Sequence, residues 1–369
     1  MPAFLAVVFT LLGFGLVLVY SASVRTRAPE AADACLQRHT FSLLLGAAIG
    51  TTTAFVPPRQ WKRMAPALLV LTIALLALVL VPGVGARING ARRWFRVLGF
   101  SVQPSELAKL TVPMYVCSRL GGAPQRRDEW RVWLIVLPLA LCVVGLVAAE
   151  PDLGTAAFLL LITGTALFAA GWPVRDFVLS VGLAAVLAMG LALLRDYQFE
   201  RLVGFAALWR GRADAPYQLR QALLAIQSGG WWGRGLGCGV LKSSFLPESH
   251  NDFVYAVIGE ELGTVGLLLV AALWLALYIL GLRLFADRRR FSFSVSLGTT
   301  LLTALTLQAW LNMAVVTAIV PPKGIPLPLI SYGGSSLVCS LAMIGIVIGL
   351  ARSPDEGEHR EHANSAAMC

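Results

Sequence analysis

The sequence predicts an all-α fold, a polytopic bundle of about ten membrane-spanning helices. Three observations lead there. Of 369 residues, 57% are hydrophobic and only 14% are charged, with a mean hydropathy of +0.74, values foreign to a soluble domain of this length. The apolar residues come in long runs, and a helical span needs roughly 20 of them. Backbone N–H and C=O groups find no water in hydrocarbon, so only helices or closed barrels cross it, and barrel strands would read as alternating segments of about ten residues.

In order, the runs lie at about 3–20, 40–56, 64–82, 105–119, 131–148, 153–170, 174–194, 252–282, 293–319 and 331–351. Ser21-Ala22-Ser23 after the first run has the small-x-small form of a signal cleavage site. No Lys or Arg precedes it, however, and a cleavable signal needs a basic start, so the run is read as a retained span. With both termini cytoplasmic, the inner loops 57–63, 119–131, 171–176 and 283–290 hold 12 Lys/Arg in 34 residues. The outer loops 21–39, 83–103, 149–152, 195–251 and 320–330 hold 15 in 112. The denser positive charge belongs inside, which sets the expected orientation. Residues 1–351 form one ten-span domain with external loops 83–103 and 195–251 building the site, and the polar, unpatterned 352–369 is a disordered cytoplasmic tail.

The net charge of +10 fits cytoplasmic loops lying against anionic lipid. A nucleic-acid partner is excluded, because there is no soluble domain and no basic stripe interleaved with stacking aromatics. The six cysteines include no C-x-x-C pair, and whether the external Cys35 and Cys238 pair stays open.

Three segments interrupt the hydrophobic plan, all on the outer side. The first, GARINGARRWFRVLGFSVQPSELAKL at 85–110, sets Arg87, Arg92, Arg93 and Arg96 around Trp94 where the topology rule disfavours positive charge. Trp94 and Phe95 suit an interfacial anchor, but guanidinium groups also bind phosphate in bidentate fashion, and a lipid-linked pyrophosphate would present its charge at this depth. Ser105 is the expected helix cap, with Glu106 in the first turn and Lys109 at i+3 on the same face. That pair either fixes helix packing or lines a polar cavity open to the outer leaflet.

The second interruption is 195–251. QLRQALLAIQ reads as an amphipathic helix lying along the interface, and the glycines of SGGWWGRGLG allow a tight turn but match no nucleotide-binding spacing. At its end stand Glu248, His250 and Asp252, for which capping of the next helix, metal ligation and general-base chemistry are all open readings. The third, IVPPKGIPLPLISYGGSS at 319–336, holds four prolines that forbid a regular helix and carries Lys323.

NGARRW with QPSELAKL, EPDLGTA at 150–156, SGGWWGRGLG with LPESHNDFVYAVIGEELG, and PPKGIPLPLISYGGSS together resemble, in content and order, the SEDS family of shape, elongation, division and sporulation proteins, which includes FtsW, RodA and SpoVE. The resemblance covers about 85–345 and leans toward the FtsW and SpoVE members. It implies a peptidoglycan glycosyltransferase of the bacterial inner membrane. Such an enzyme polymerises lipid II, an undecaprenyl-pyrophosphate disaccharide-pentapeptide, at the outer face, beside a class B penicillin-binding protein transpeptidase and the divisome or elongasome.

By the same resemblance Asp252 is the essential acid, Trp94 the loop tryptophan, and Glu106 and Lys109 the buried pair. Asn251 and Pro322 stand where the family usually has Thr, and the usual N-terminal extension is nearly absent. The expected chemistry is an inverting displacement with Asp252 as catalytic base. Arg92, Arg93 and Lys109 compensate the leaving diphosphate, a divalent cation (Mg or Mn) is a further means of doing so, and Trp94, Glu106, Glu248, His250 and Lys323 complete the substrate site. A lipid II flippase and a non-catalytic scaffold for the transpeptidase are the rival readings.

Overall fold

The computed structural model describes residues 1–23, 29–88, 91–97, 100–121, 136–175, 196–210, 216–239 and 252–354, with a few single positions between 178 and 190. Among these residues eleven helices and three short strands are formed. They are α1 (Pro2–Ser23), α2 (Pro29–Phe55), α3 (Pro58–Leu80), β1 (Ala86–Ile88), β2 (Ala91–Val97), β3 (Phe100–Val102), α4 (Pro104–Leu120), α5 (Leu137–Ala149) and α6 (Leu153–Ala169). There follow α7 (Asp196–Trp209), α8 (Tyr217–Gly229), α9 (Val254–Arg283), α10 (Phe293–Val316) and α11 (Gly334–Arg352).

Five helices, α1, α3, α9, α10 and α11, are long and apolar enough to cross a bilayer, and α5 and α6 are shorter apolar helices. Large apolar side chains such as Phe9, Leu44, Val70 and Leu268 are exposed on the outside of the bundle, which is where lipid would cover them. The protein is a multi-pass, mostly helical membrane protein. The core is built around α4 and α10, and on α10 Leu297, Leu301, Leu305 and Ala309 are all buried. Most of the expected span at 174–194 lies outside the described residues.

Two local expectations need correction. Ser105 does not cap α4: Gln103 occupies the cap position and Pro104 the first turn, where its missing N–H costs nothing. The QLRQALLAIQ helix, α8, does not simply lie along an interface. Its Leu219, Ala222 and Ala225 are buried and it packs against α9.

The contact between α8 and α9 explains the SGGWWGRGLG stretch. Helix α9 is broken at Gly263, whose φ of 68° and ψ of −166° lie outside the helical region. The break strands the carbonyls of Glu260 and Glu261 and the amides of Thr264 and Val265, which would otherwise pair with one another. The glycine turn after α8 inserts there and satisfies both sides. Arg234 and Gly235 donate their N–H groups to the carbonyls of Glu260 and Glu261, each at 3.0 Å, while Thr264 and Val265 donate to Gly230 and Trp231 at 2.9 and 3.2 Å. A side chain at Gly233 would collide with the Glu261 carbonyl, so only glycine admits this approach.

The external loop 83–103 contains a three-stranded antiparallel sheet in the order β1-β2-β3. It sits at the end of the bundle that also carries the start of α4, the turn between α5 and α6, the start of α9 and the segment between α10 and α11. Residues from distant parts of the chain converge at that end.

Candidate functional site

The sheet divides the arginine cluster. Arg87 pairs with Arg92 across β1 and β2, and the register shifts between Ala86 and Arg87, an irregularity of the kind that re-aims side chains. Arg93 reaches the turn between α5 and α6, where its Nε donates to the Glu150 carbonyl at 2.9 Å and its Nη2 to the Pro151 carbonyl at 2.7 Å. Its Nη1 also lies 3.7 Å from the Asp152 carboxylate. Arg92 instead lines an open cleft of about 330 Å³ together with Arg87, Glu150 and the end of α3. Arg92 and Arg93, expected to act together on a diphosphate, thus have separate surroundings, and Arg93 is already engaged in holding a turn. Trp94, between them and Arg96, is partly exposed.

Asp152 caps α6, accepting from the Thr155 amide at 3.1 Å and the Thr155 hydroxyl at 3.0 Å. The Lys323 side chain lies across the first turn of this helix, so close that a Cβ on Gly154 would stand 3.3 Å from its Cδ. Burial lowers the proton affinity of the Lys323 ammonium below the usual lysine range, and Asp152 partly opposes that. The next residue, Gly324, faces Asp252: a Cβ there would lie 2.8 Å from Asp252 Oδ2. Glycines in EPDLGTA and PPKGIP therefore let one lysine and one aspartate come close to backbone that a larger residue would hold away.

Asp252 is half-buried ahead of α9 and does not cap it, since Phe253 is the cap residue and no side chain bonds there. The capping reading is set aside. Asn312 of α10 fixes the position of Asp252, its Nδ2 donating to the Asp252 carbonyl at 2.8 Å and to the Ile325 carbonyl at 2.7 Å. One turn earlier, Gln308 donates to the Pro326 carbonyl at 3.0 Å and accepts from Lys109 Nζ at 2.9 Å. Lys109 in turn bonds Glu106 at 2.6 Å, with both side chains buried. The pair expected from its i+3 spacing is formed. Two amides on α10 tie it and the aspartate to the same proline-rich segment.

Glu248 and His250 lie outside the described residues. Glu150, Asp152, Gln308 and Asn312 were not singled out by sequence reasoning, although a signal was present in the two amides at i, i+4 in the apolar run LTLQAWLNMAVV. Among the described residues no group of three or more His, Cys, Asp or Glu side chains gathers to hold a metal ion. Cys35 and Cys238 are free thiols.

A profile of the cell cycle protein family of FtsW, RodA and SpoVE matches residues 2–356, nearly the whole chain. The chain belongs to the FtsW, RodA and SpoVE family. A relative from Halorhodospira halophila, named a probable peptidoglycan glycosyltransferase FtsW, is 36% identical over 363 residues, covering 95% of this chain and 91% of the relative. One of the same name from a Geobacter species, strain M18, is 38% identical over 343 residues, covering 92% and 93%.

Solved structures agree. The rod shape determining protein RodA of Thermus thermophilus aligns with a TM-score of 0.69 at 30% identity, over 95% of each chain. A chain from a peptidoglycan synthase complex, solved in a study of how polymerization and crosslinking are coordinated, aligns with a TM-score of 0.76 at 30% identity, over 95% of this chain and 97% of that one.

Proposed function

We propose that this FtsW, RodA and SpoVE family member is a peptidoglycan glycosyltransferase that polymerises lipid II into β-1,4 glycan at the outer face of the cytoplasmic membrane, in septal wall synthesis. Both termini face the cytoplasm, as the distribution of Lys and Arg favours. A class B penicillin-binding protein is its transpeptidase partner, in keeping with the synthase complex to which one aligned structure belongs. Residues 1–351 act as one catalytic unit.

The observation that carries this reading is the convergence on Asp252. A half-buried carboxylate at the start of a helix is held from behind by Asn312, with Gly324 packed beside it and Lys323, the residue before that glycine, lying over the first turn of α6. In the reaction, the 4-hydroxyl of one lipid-linked N-acetylglucosamine attacks the anomeric carbon of another chain's N-acetylmuramic acid. Asp252 takes the hydroxyl proton, the new C–O bond forms, and the bond to undecaprenyl diphosphate breaks with its electron pair leaving on the diphosphate. The configuration at that carbon inverts. Such a leaving group needs cations rather than a second carboxylic acid, and Lys323, next in the chain to Gly324, and Lys109, tied through Gln308 to the same proline-rich segment, are the candidates.

A flippase would want polar groups along the full depth. The hydroxyls toward the other end of α10 are instead satisfied by carbonyls of their own helix, as Thr299 and Thr300 are by Val295 and Ser296 at 2.7 and 2.6 Å. The test is polymerisation of labelled lipid II by the purified protein with its transpeptidase partner, wild type beside Asp252→Asn. Loss of polymer by roughly a hundredfold or more, with the complex intact, is expected for a missing general base. Equal polymerisation by both proteins would remove Asp252 from catalysis, and an intact wild-type complex with no polymer would favour the flippase or scaffold.

A further inference from the structure

Helix α9 has 30 residues, about 45 Å at the usual helical rise, and so exceeds the roughly 30 Å of hydrocarbon that a span must cross. The break at Gly263 divides it into two parts with different surroundings. From Val254 to Glu261 every residue is buried in protein. From Val265 onward large apolar side chains become exposed at helical spacing, among them Leu268, Leu275 and Ile279. The part from Thr264 to Arg283 is about 20 residues, the length of one span, and ends on a cation.

Helix α1 is a second, independent ruler. Its apolar run Pro2–Ser21 is also 20 residues long. It lies antiparallel against α9 from end to end: Phe4 packs beside Gly281, where a Cβ would stand 3.2 Å from its ring, and Ser21 Oγ donates to the Glu261 carboxyl, 2.8 and 2.9 Å from its two oxygens. Both helices therefore exhaust their apolar length at one level, that of Glu261 and Gly263.

The glycine turn after α8 sits at this level, since Val265, the first exposed apolar residue beyond the break, donates its N–H to the Trp231 carbonyl. Trp231 and Trp232 are 69% and 82% exposed. In water two such indoles would leave a large apolar area uncovered, whereas at a bilayer boundary the ring lies in the apolar layer and its N–H stays wet. Tyr20, the neighbour of Ser21 in the chain, is a further exposed aromatic at the end of α1. The charge of the segment suits phospholipid as well. Residues 216–239 contain no Asp or Glu, and both of their arginines, Arg220 and Arg234, are exposed.

We infer that Trp231 and Trp232 anchor the external segment 216–239 in the bilayer interface at the Asp252 end of the bundle. Their rings lie among the upper acyl chains of glycerophospholipids and Arg234 lies at the headgroup phosphates. The segment is thus tethered to lipid at the point where it plugs the break in α9, which fixes the height of the Asp252 end above the hydrocarbon. That this leaflet is the outer one rests on the orientation proposed above. The contact with lipid does not.

The test is fluorine NMR of the full-length protein, labelled with fluorotryptophan, in nanodiscs of phosphatidylcholine and phosphatidylglycerol, alone and with its transpeptidase partner. Trp231→Phe and Trp232→Phe each remove one signal and so assign the two rings. Both signals should be lost when the phosphatidylcholine carries a nitroxide near the top of its acyl chain, and both should survive a water-soluble gadolinium chelate. Loss to the chelate at least as readily as to the nitroxide would place the rings in water and overturn the anchor. Survival against both reagents in the protein alone would mean that protein covers them, this chain or a second copy, and would overturn it too. Protection from the nitroxide that arises only with the transpeptidase bound would assign the surface to that partner, against the inference. None of these readouts depends on polymerisation, so the anchor and the role of Asp252 stand or fall separately.

Discussion

Asn312 Nδ2 donates to the Asp252 carbonyl at 2.8 Å and, from the same atom, to the Ile325 carbonyl at 2.7 Å. The loop that carries the proposed base and the segment that carries Lys323 are thus held by one amide in the bundle core. Each bond contributes about 1 kcal/mol net, and a small displacement of a catalytic group can cost about a hundredfold in rate. Asn312→Ala should therefore slow lipid II polymerisation by tenfold or more, roughly, while lowering the melting midpoint in detergent only modestly. A melting shift without a rate effect would make Asn312 purely structural.

The Glu106–Lys109 pair is closed at 2.6 Å inside the protein. Removing one partner leaves the other charge buried and uncompensated, at a cost of about 3–5 kcal/mol. Lys109→Met should reduce thermal stability by that order. Glu106→Leu added to it should restore much of the loss, because two apolar side chains leave no orphaned charge. If the double variant melts no higher than the single one, Lys109 stabilises by contacts other than the ion pair, such as Gln308.

At Gly263 a Cβ would collide with the Gly233 amide and the Trp231 carbonyl, and the φ of 68° is itself strained for any other residue. Gly263→Ala should cost at least about 2 kcal/mol and loosen the glycine turn from α9. Amide hydrogen exchange at Arg234, Gly235, Thr264 and Val265 reads this directly, since those four donors close the helix break. Unchanged protection at these amides would mean that the turn is held from elsewhere.

Stability should depend on pH through Glu150. Its carboxyl is raised from 4.5 to about 8 on folding, so the folded state holds a proton that the unfolded chain gives up. The contribution is full below 4.5 and is lost as pH rises through about 8. Melting midpoints should therefore fall across that interval in wild type and fall less in Glu150→Gln. Parallel curves for the two proteins would assign the pH dependence to another group.

The sequence was a sound guide wherever the argument depended on spacing or composition along one segment. Spans at 252–282 and 293–319 match α9 and α10 to within three residues, and α3 begins six residues ahead of the span at 64–82, because long apolar runs in a membrane have one backbone solution. Glu106 and Lys109, three residues apart on a helix, had to lie on one face. The four prolines of 319–336 kept that segment from forming a helix, as the backbone of a proline requires.

By itself, then, the sequence determined the membrane class, the helical architecture, the family and the identity of the unusual charged residues. Tertiary structure alone decided what those residues meet. Arg92 and Arg93 are neighbours in the chain, yet a shift in strand pairing turns Arg93 to a turn 57 residues away and leaves Arg92 in a cleft with Arg87 and Glu150. Asn312 and Asp252 are 60 residues apart, and Lys109 and Gln308 are 199. No local pattern encodes such pairings, because buried polar groups take whatever partner the packed helices bring within reach, and that is a property of the whole bundle.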